Sequence, residues 1–164
     1  MADVEWDNLD QVMAELEAEI TDIVRGFTVE VYYHTLKMSP QYFGRYVSNW
    51  TYQIGSPDSW LNQEFDYEDE DSGYATIHKK GDWPAIESAV NHSKGRDSRF
   101  KLGDTVFISN NAGHANDIEA GRINLRVVNQ PGRPLTRAID RATAWYGNDM
   151  KANHALELRA MRIY

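Results

Sequence analysis

Apolar residues at Leu9, Val12, Met13, Leu16, Ile20, Ile23, Val24 and Phe27 recur three and four positions apart, with acids on the opposite side. That period is one face of an amphipathic helix. Asp7 or Asn8 is its expected N-cap, and Asp10 and Glu15 lie towards the positive end of its dipole. Gly26 and the run Thr28-Val29-Glu30-Val31-Tyr32-Tyr33 also suit a strand. The helical reading continues to about Lys37, and Ser39-Pro40 ends it because proline pushes the residue before it out of the helical region.

Beyond a turn at Gly44, Tyr46, Ser48, Trp50, Tyr52 and Ile54 alternate with Val47, Asn49, Thr51 and Gln53. Period two predicts a half-buried strand with two tyrosines and a tryptophan on one face. Gly55-Ser56-Pro57-Asp58-Ser59 is turn chemistry. Glu64 to Asp71 then carries six acids in eight residues without a base, a self-repelling run expected in an exposed loop. Tyr74 to Lys79 suits a short edge strand, and Asp82 should cap a helix starting near Pro84 with Ile86, Ala89 and Val90 inward, leaving over Gly95 to Arg99.

Lys101-Leu102-Gly103-Asp104 reads as a turn into a strand, Thr105 to Ser109, whose apolar Val106, Phe107 and Ile108 predict a central position. Asn110 and Asn111 are expected to cap the short helix that follows, and Gly121 to close it in a left-handed conformation. Pro134 opens a last helix with Leu135, Ala138, Ile139, Ala142, Trp145 and Tyr146 as its apolar stripe, Arg133, Arg137 and Arg141 outside, and Gly147 as its stop. Together these elements predict an α+β fold: a long N-terminal helix and further helices packed on a small, mainly antiparallel sheet. Residues 1–164 form one expected domain, with an acidic loop near 64–73 and a C-terminal arm over 148–164 that a neighbour would order.

Composition narrows the function classes. No run of about 18 apolar residues exists to span a bilayer, and Met1-Ala2-Asp3-Val4-Glu5 is acidic where a signal peptide would be basic. The absence of cysteine removes disulfides, thiolate metal sites and thiol nucleophiles. A net charge of −8 argues against general nucleic-acid binding, which needs a basic footprint. The charge is uneven: residues 1–120 hold nine Lys/Arg against 22 Asp/Glu, whereas 121–164 hold eight against three. Solvated faces alone would explain that; so would an acidic part of one copy meeting the basic part of the next, the head-to-tail contact that closes rings.

Candidate chemistry is sparse. His114, Asp117 and Glu119 are spaced for a metal-dependent hydrolase, although the other histidines, His34, His78, His92 and His154, are scattered singly. The acids from Glu64 to Asp71 lack the central glycine of a calcium loop. No nucleophile elbow, P-loop or dinucleotide fingerprint is present. The 14 tryptophans and tyrosines admit a peptide- or sugar-binding surface, for which Trp60 and Trp83 are left once the core faces are filled.

The order of short motifs carries a resemblance. Pro40, Gly44-Arg45 and Asn49-Trp50 follow the first helix; Gly103-Asp104, then Asn110-Asn111, Ala115 and Glu119-x-Gly121, surround the second strand. Across roughly residues 7 to 146 this resembles the neck and tail-completion proteins of tailed bacteriophages, including minor tail protein Z-like sequences. Tyr42-Phe43 stands where that family has aspartate-threonine, and Gly113-His114 where it has proline-tyrosine. The resemblance implies a virion protein without catalysis, cofactor or metal, made in the host cytoplasm. It further implies a ring, of six copies by expectation, that contacts other neck, connector and tail proteins and lets DNA pass without sequence-specific binding. Arg45, Arg137 and Arg141 are the candidate interface residues, since arginine pairs bidentately with carboxylates, and the 64–71 loop is expected at the channel or rim.

Overall fold

In the computed structural model, residues 6–39, 44–63, 84–122 and 132–160 are described. The expected edge strand at 74–79, the acidic loop, the Asp82 cap and Pro40 lie outside them. The described elements are α1 (Trp6–Met38), α2 (Arg45–Ser48), β1 (Trp50–Ile54), α3 (Pro84–Ser93), a 3-10 turn (Asp97–Arg99), β2 (Val106–Asn110), α4 (Ala115–Glu119) and α5 (Pro134–Ala160). This is the α+β arrangement expected, with a two-stranded antiparallel sheet.

Helix α1 holds through its β-branched stretch because Val31 packs on Ala138 and Ala142 of α5. Propensity costs of a few tenths of a kcal/mol per residue yield to such packing. Phe27 meets Tyr146 edge-on at 5.6 Å, so α5 runs antiparallel to α1. Gly26 makes the approach possible: a Cβ there would lie 2.7 Å from the Tyr146 hydroxyl. Helix α1 already includes Trp6, so it starts ahead of Asp7 and Asn8, the expected caps.

The alternating stretch divides in two. Gly44, at φ 72, starts a helical turn whose Ser48 N–H donates to the Gly44 carbonyl at 2.9 Å, and the strand begins only at Trp50. A spacing of four returns a side chain to the same side in a helix and in a strand alike. Tyr46 and Trp50 therefore share a face under either conformation, and they pack edge-on at 5.7 Å. In β1, Trp50, Tyr52 and Ile54 pair with Asn110, Ile108 and Val106 and enter the main core with Tyr32, Leu36, Ile86 and Ile118.

Strand β2 is half-buried along its length rather than central. Strand β1 is the more enclosed, because its Tyr52 N–H donates to Ser93 Oγ of α3. Three apolar positions assigned inward face solvent instead: Val90, Ile139 and Trp145. Helix α5 continues past Gly147 to Ala160. A glycine inside a helix costs only about 1 kcal/mol relative to alanine, and stops one only when the chain turns left-handed there.

Candidate interaction surfaces

The motif residues turn out to brace the fold internally. Asn49, fully buried, donates through Nδ2 to the carbonyls of Arg45 (2.7 Å) and Asn62 (3.2 Å), while its Oδ1 accepts from the Asn62 N–H at 2.6 Å. Trp50 Nε1 donates to Ser39 Oγ at 2.8 Å. Asn110 Nδ2 donates to the Tyr46 carbonyl at 2.8 Å, and its Oδ1 accepts from the Ala112 N–H. Asn111 Nδ2 reaches the carbonyls of Asp58 (2.8 Å) and Trp60 (2.7 Å). Neither asparagine caps α4, whose N-cap is His114 without a side-chain bond. Both tie segments more than 50 residues apart, since a strand exit facing another chain segment offers it bare carbonyls that an amide can satisfy.

At the other end of α4, Gly121 (φ 70) closes the helix as expected. Its N–H donates to the Ile118 carbonyl and that of Arg122 to the Asp117 carbonyl, the paired bonds of a Schellman motif. Glu119 receives the N–H groups of Leu135 (3.2 Å) and Thr136 (2.8 Å) and the Thr136 hydroxyl (2.7 Å). The glutamate of the Glu119-x-Gly121 motif thus caps α5, where a carboxylate also meets the positive end of the helix dipole. Asp117 pairs with Arg122 at 3.2 Å. With Glu119 and Asp117 so engaged, His114, Asp117 and Glu119 do not converge, and no group of three or more histidine or acidic side chains among the described residues is placed for a metal ion.

A polar cluster that the linear motifs do not reveal locks the 55–62 loop. Asp58 Oδ2 accepts from Arg96 Nη1 at 2.6 Å and lies 2.8 Å from His92 Nε2, and Asp58 Oδ1 accepts from the Trp60 N–H. The Arg96 guanidinium, then His92 and the Trp60 N–H, hold the Asp58 carboxyl well below the usual carboxylate range against the opposing effect of burial. Trp60 stacks on the His92 ring at 3.8 Å, so this tryptophan is engaged within the fold. The only sequence signal for the cluster is the i, i+4 pair His92 and Arg96 on an exit from a helix. Tyr46 Oη is the one buried side-chain polar atom among the described residues with no hydrogen bond; burial and the nearby Glu119 carboxylate push its pKa up.

The three candidate interface arginines fall in two places. Arg45 opens α2, half-buried, near enough to His114 that its charge adds to burial in lowering the imidazole pKa. Arg137 and Arg141 are exposed one turn apart on α5. Among the described residues, a run of exposed apolar side chains lies elsewhere, on the N-terminal half of α1. An open apolar groove also runs between α1, β2 and α5, lined by Phe27, Val31, Val106, Ile108, Leu135 and Ile139.

Compared with known protein families, curated proteins and solved structures, the chain matches none. No helix among the described residues is long and apolar enough to cross a membrane.

Proposed function

We propose that the chain is a ring-forming neck or tail-completion component of a tailed bacteriophage, joining head to tail and leaving a passage for DNA. The observation that carries the reading is the ordered motif set from Gly44 to Gly121, several of whose polar residues brace one element against another. Asn49, Asn110 and Asn111 brace α2, the strands and the 58–62 loop, and Glu119 ties α4 to α5. A family-wide pattern with such bracing roles belongs to a scaffold that presents surfaces, and the role is structural.

Charge agrees with this role. A net charge of −8 lets a lumen repel DNA rather than grip it. The ring is proposed to hold six copies, in a virion assembled in the host cytoplasm, with Arg45, Arg137 and Arg141 at contacts between copies or with neighbouring neck and tail proteins. Light scattering on a sizing column followed by negative-stain imaging tests this. Closed rings are the expected result; a strict monomer that also binds a small ligand saturably and stoichiometrically would overturn it.

A further inference from the structure

Trp145 is 53% exposed although it belongs to the apolar stripe of α5. Arg141 and Arg137 lie about one and two turns before it, both exposed, on the flank of α5 away from the apolar groove. Neither arginine has a carboxylate partner among the described residues. Tryptophan and arginine are enriched among the residues that carry binding energy at interfaces.

Helix α1 offers the complement. Every residue from Leu9 to Ile20 is exposed. Glu15 and Glu19 stand about one turn apart; Glu15 accepts a bond from the exposed Gln11 amide at 2.8 Å, and Glu19 has no partner among the described residues. Val12, 52% exposed, lies three and seven positions before them on the same face. No Lys or Arg precedes Arg25.

The two patterns match when the helices run antiparallel. Along α1, the steps from Val12 to Glu15 and from Glu15 to Glu19 rise about 4.5 and 6 Å; along α5, from Trp145 back to Arg141 and to Arg137, they are about 6 and 6 Å. Val12 then meets Trp145, Glu15 meets Arg141 and Glu19 meets Arg137. In a parallel alignment Val12 would face Arg137 and Glu19 would face Trp145. One copy cannot make this contact with itself: Val31 packs on Ala138, which sets Arg137 about 18 Å along α1 from Glu19. Nor does either surface suit its own kind, since two α1 segments oppose acid to acid and two α5 segments arginine to arginine.

We propose that Val12, Glu15 and Glu19 of one copy dock antiparallel on Trp145, Arg141 and Arg137 of a second copy. Exposed ion pairs contribute little each and here fix register and orientation. Burial of Trp145 and of the arginine stems against apolar α1 residues supplies most of the affinity. The inference deepens the proposed function, because it names what the α5 arginines meet, and it rests on that reading only in taking the chain as a subunit of an assembly.

Charge exchange in the full chain tests it. Glu15→Lys and Arg141→Glu alter exposed positions, so circular dichroism melts should match the parent. Each alone should raise the dissociation constant of self-association about tenfold or more, read by sedimentation velocity. The two together in one chain should return it to within about threefold of the parent, because the pair is re-formed with its signs exchanged. Glu15→Lys combined with Arg137→Glu should not be rescued.

Rescue by Arg137→Glu instead of Arg141→Glu would overturn the antiparallel register. Single variants that assemble like the parent, a double variant without rescue, or a parent that stays monomeric at high concentration would overturn the contact itself. So would an Arg141→Glu chain that self-associates normally but loses retention of duplex DNA at low salt, which would assign the arginines to a phosphate backbone. Closed parent rings unaffected by any variant would leave the ring reading standing while this contact falls; charge-exchange rescue of a parent that stops at dimers would do the reverse.

Discussion

The junction of α2, β1, β2 and the 58–62 loop and the N-terminal half of α1 use side chains in opposite ways. At the junction, polar groups are buried and bonded: Asn49, Thr51 and Ser48 are fully enclosed, and Tyr32 Oη alone meets the Trp50 and Ala89 carbonyls and Ser93 Oγ. Along the N-terminal half of α1, by contrast, apolar side chains such as Val12 and Met13 are about half exposed to water. A satisfied buried polar network fixes one geometry, because any other arrangement strands a donor or acceptor. An exposed apolar strip does the reverse and leaves binding energy for a partner. The difference separates residues that hold the fold from apolar residues that the fold leaves on its surface.

The sharpest break in that contrast is at Asn49. Asn49→Ala should remove the two bonds that Asn49 makes to the buried Asn62 backbone and lower unfolding free energy by about 3 kcal/mol, read from urea denaturation. Tyr32→Phe comes next, at about 2 kcal/mol, since three buried partners lose one hydroxyl. At the opposite pole, Leu16→Asp should change the stability of the subunit by less than about 0.5 kcal/mol, as surface changes do. An equal loss at Leu16 and Asn49 would erase the distinction between the two regions.

Two smaller effects sharpen it. The Asp58 carboxyl is held below its ordinary range in the folded protein, so its pairing stabilises fully above the unfolded pKa of about 4 and is lost as pH falls towards the folded value. Asp58→Asn should therefore be less stable than the parent at pH 7 and lose less stability between pH 5 and pH 3; parallel acid limbs would show that the cluster contributes nothing. At the α1–α5 contact, Gly26→Ala brings its Cβ to 2.7 Å from the Tyr146 hydroxyl, so the gain in helix propensity should be cancelled. In a Tyr146→Phe background the same change should be more favourable by about 0.5–1 kcal/mol, measured as a double-mutant cycle.

Much of the fold was legible locally. The three-and-four spacing from Leu9 to Phe27 marks α1, Pro134 marks the start of α5, and Gly121 closes α4 with the bonds its position foretold. Legibility failed where two conformations share a signal. The alternation from Tyr46 to Ile54 hid a helical turn because Tyr46 and Trp50 face the same way in both. It failed again where a residue has two uses: Asn110 and Asn111 have the chemistry of caps, yet reach Tyr46, Asp58 and Trp60 instead. In the Asp58, His92 and Arg96 cluster only the His92/Arg96 spacing was legible, because Asp58 lies 34 and 38 positions from these two partners.

By itself, then, the sequence determined periods, turns and the uneven distribution of charge, all properties of neighbours along the chain. Only the tertiary structure decided which half of the α1 stripe is covered. Phe27 and Leu9 belong to the same repeat, but Tyr146 packs on one while the other faces water. Burial depends on what the rest of the chain brings alongside a helix, and helical periodicity carries no record of that.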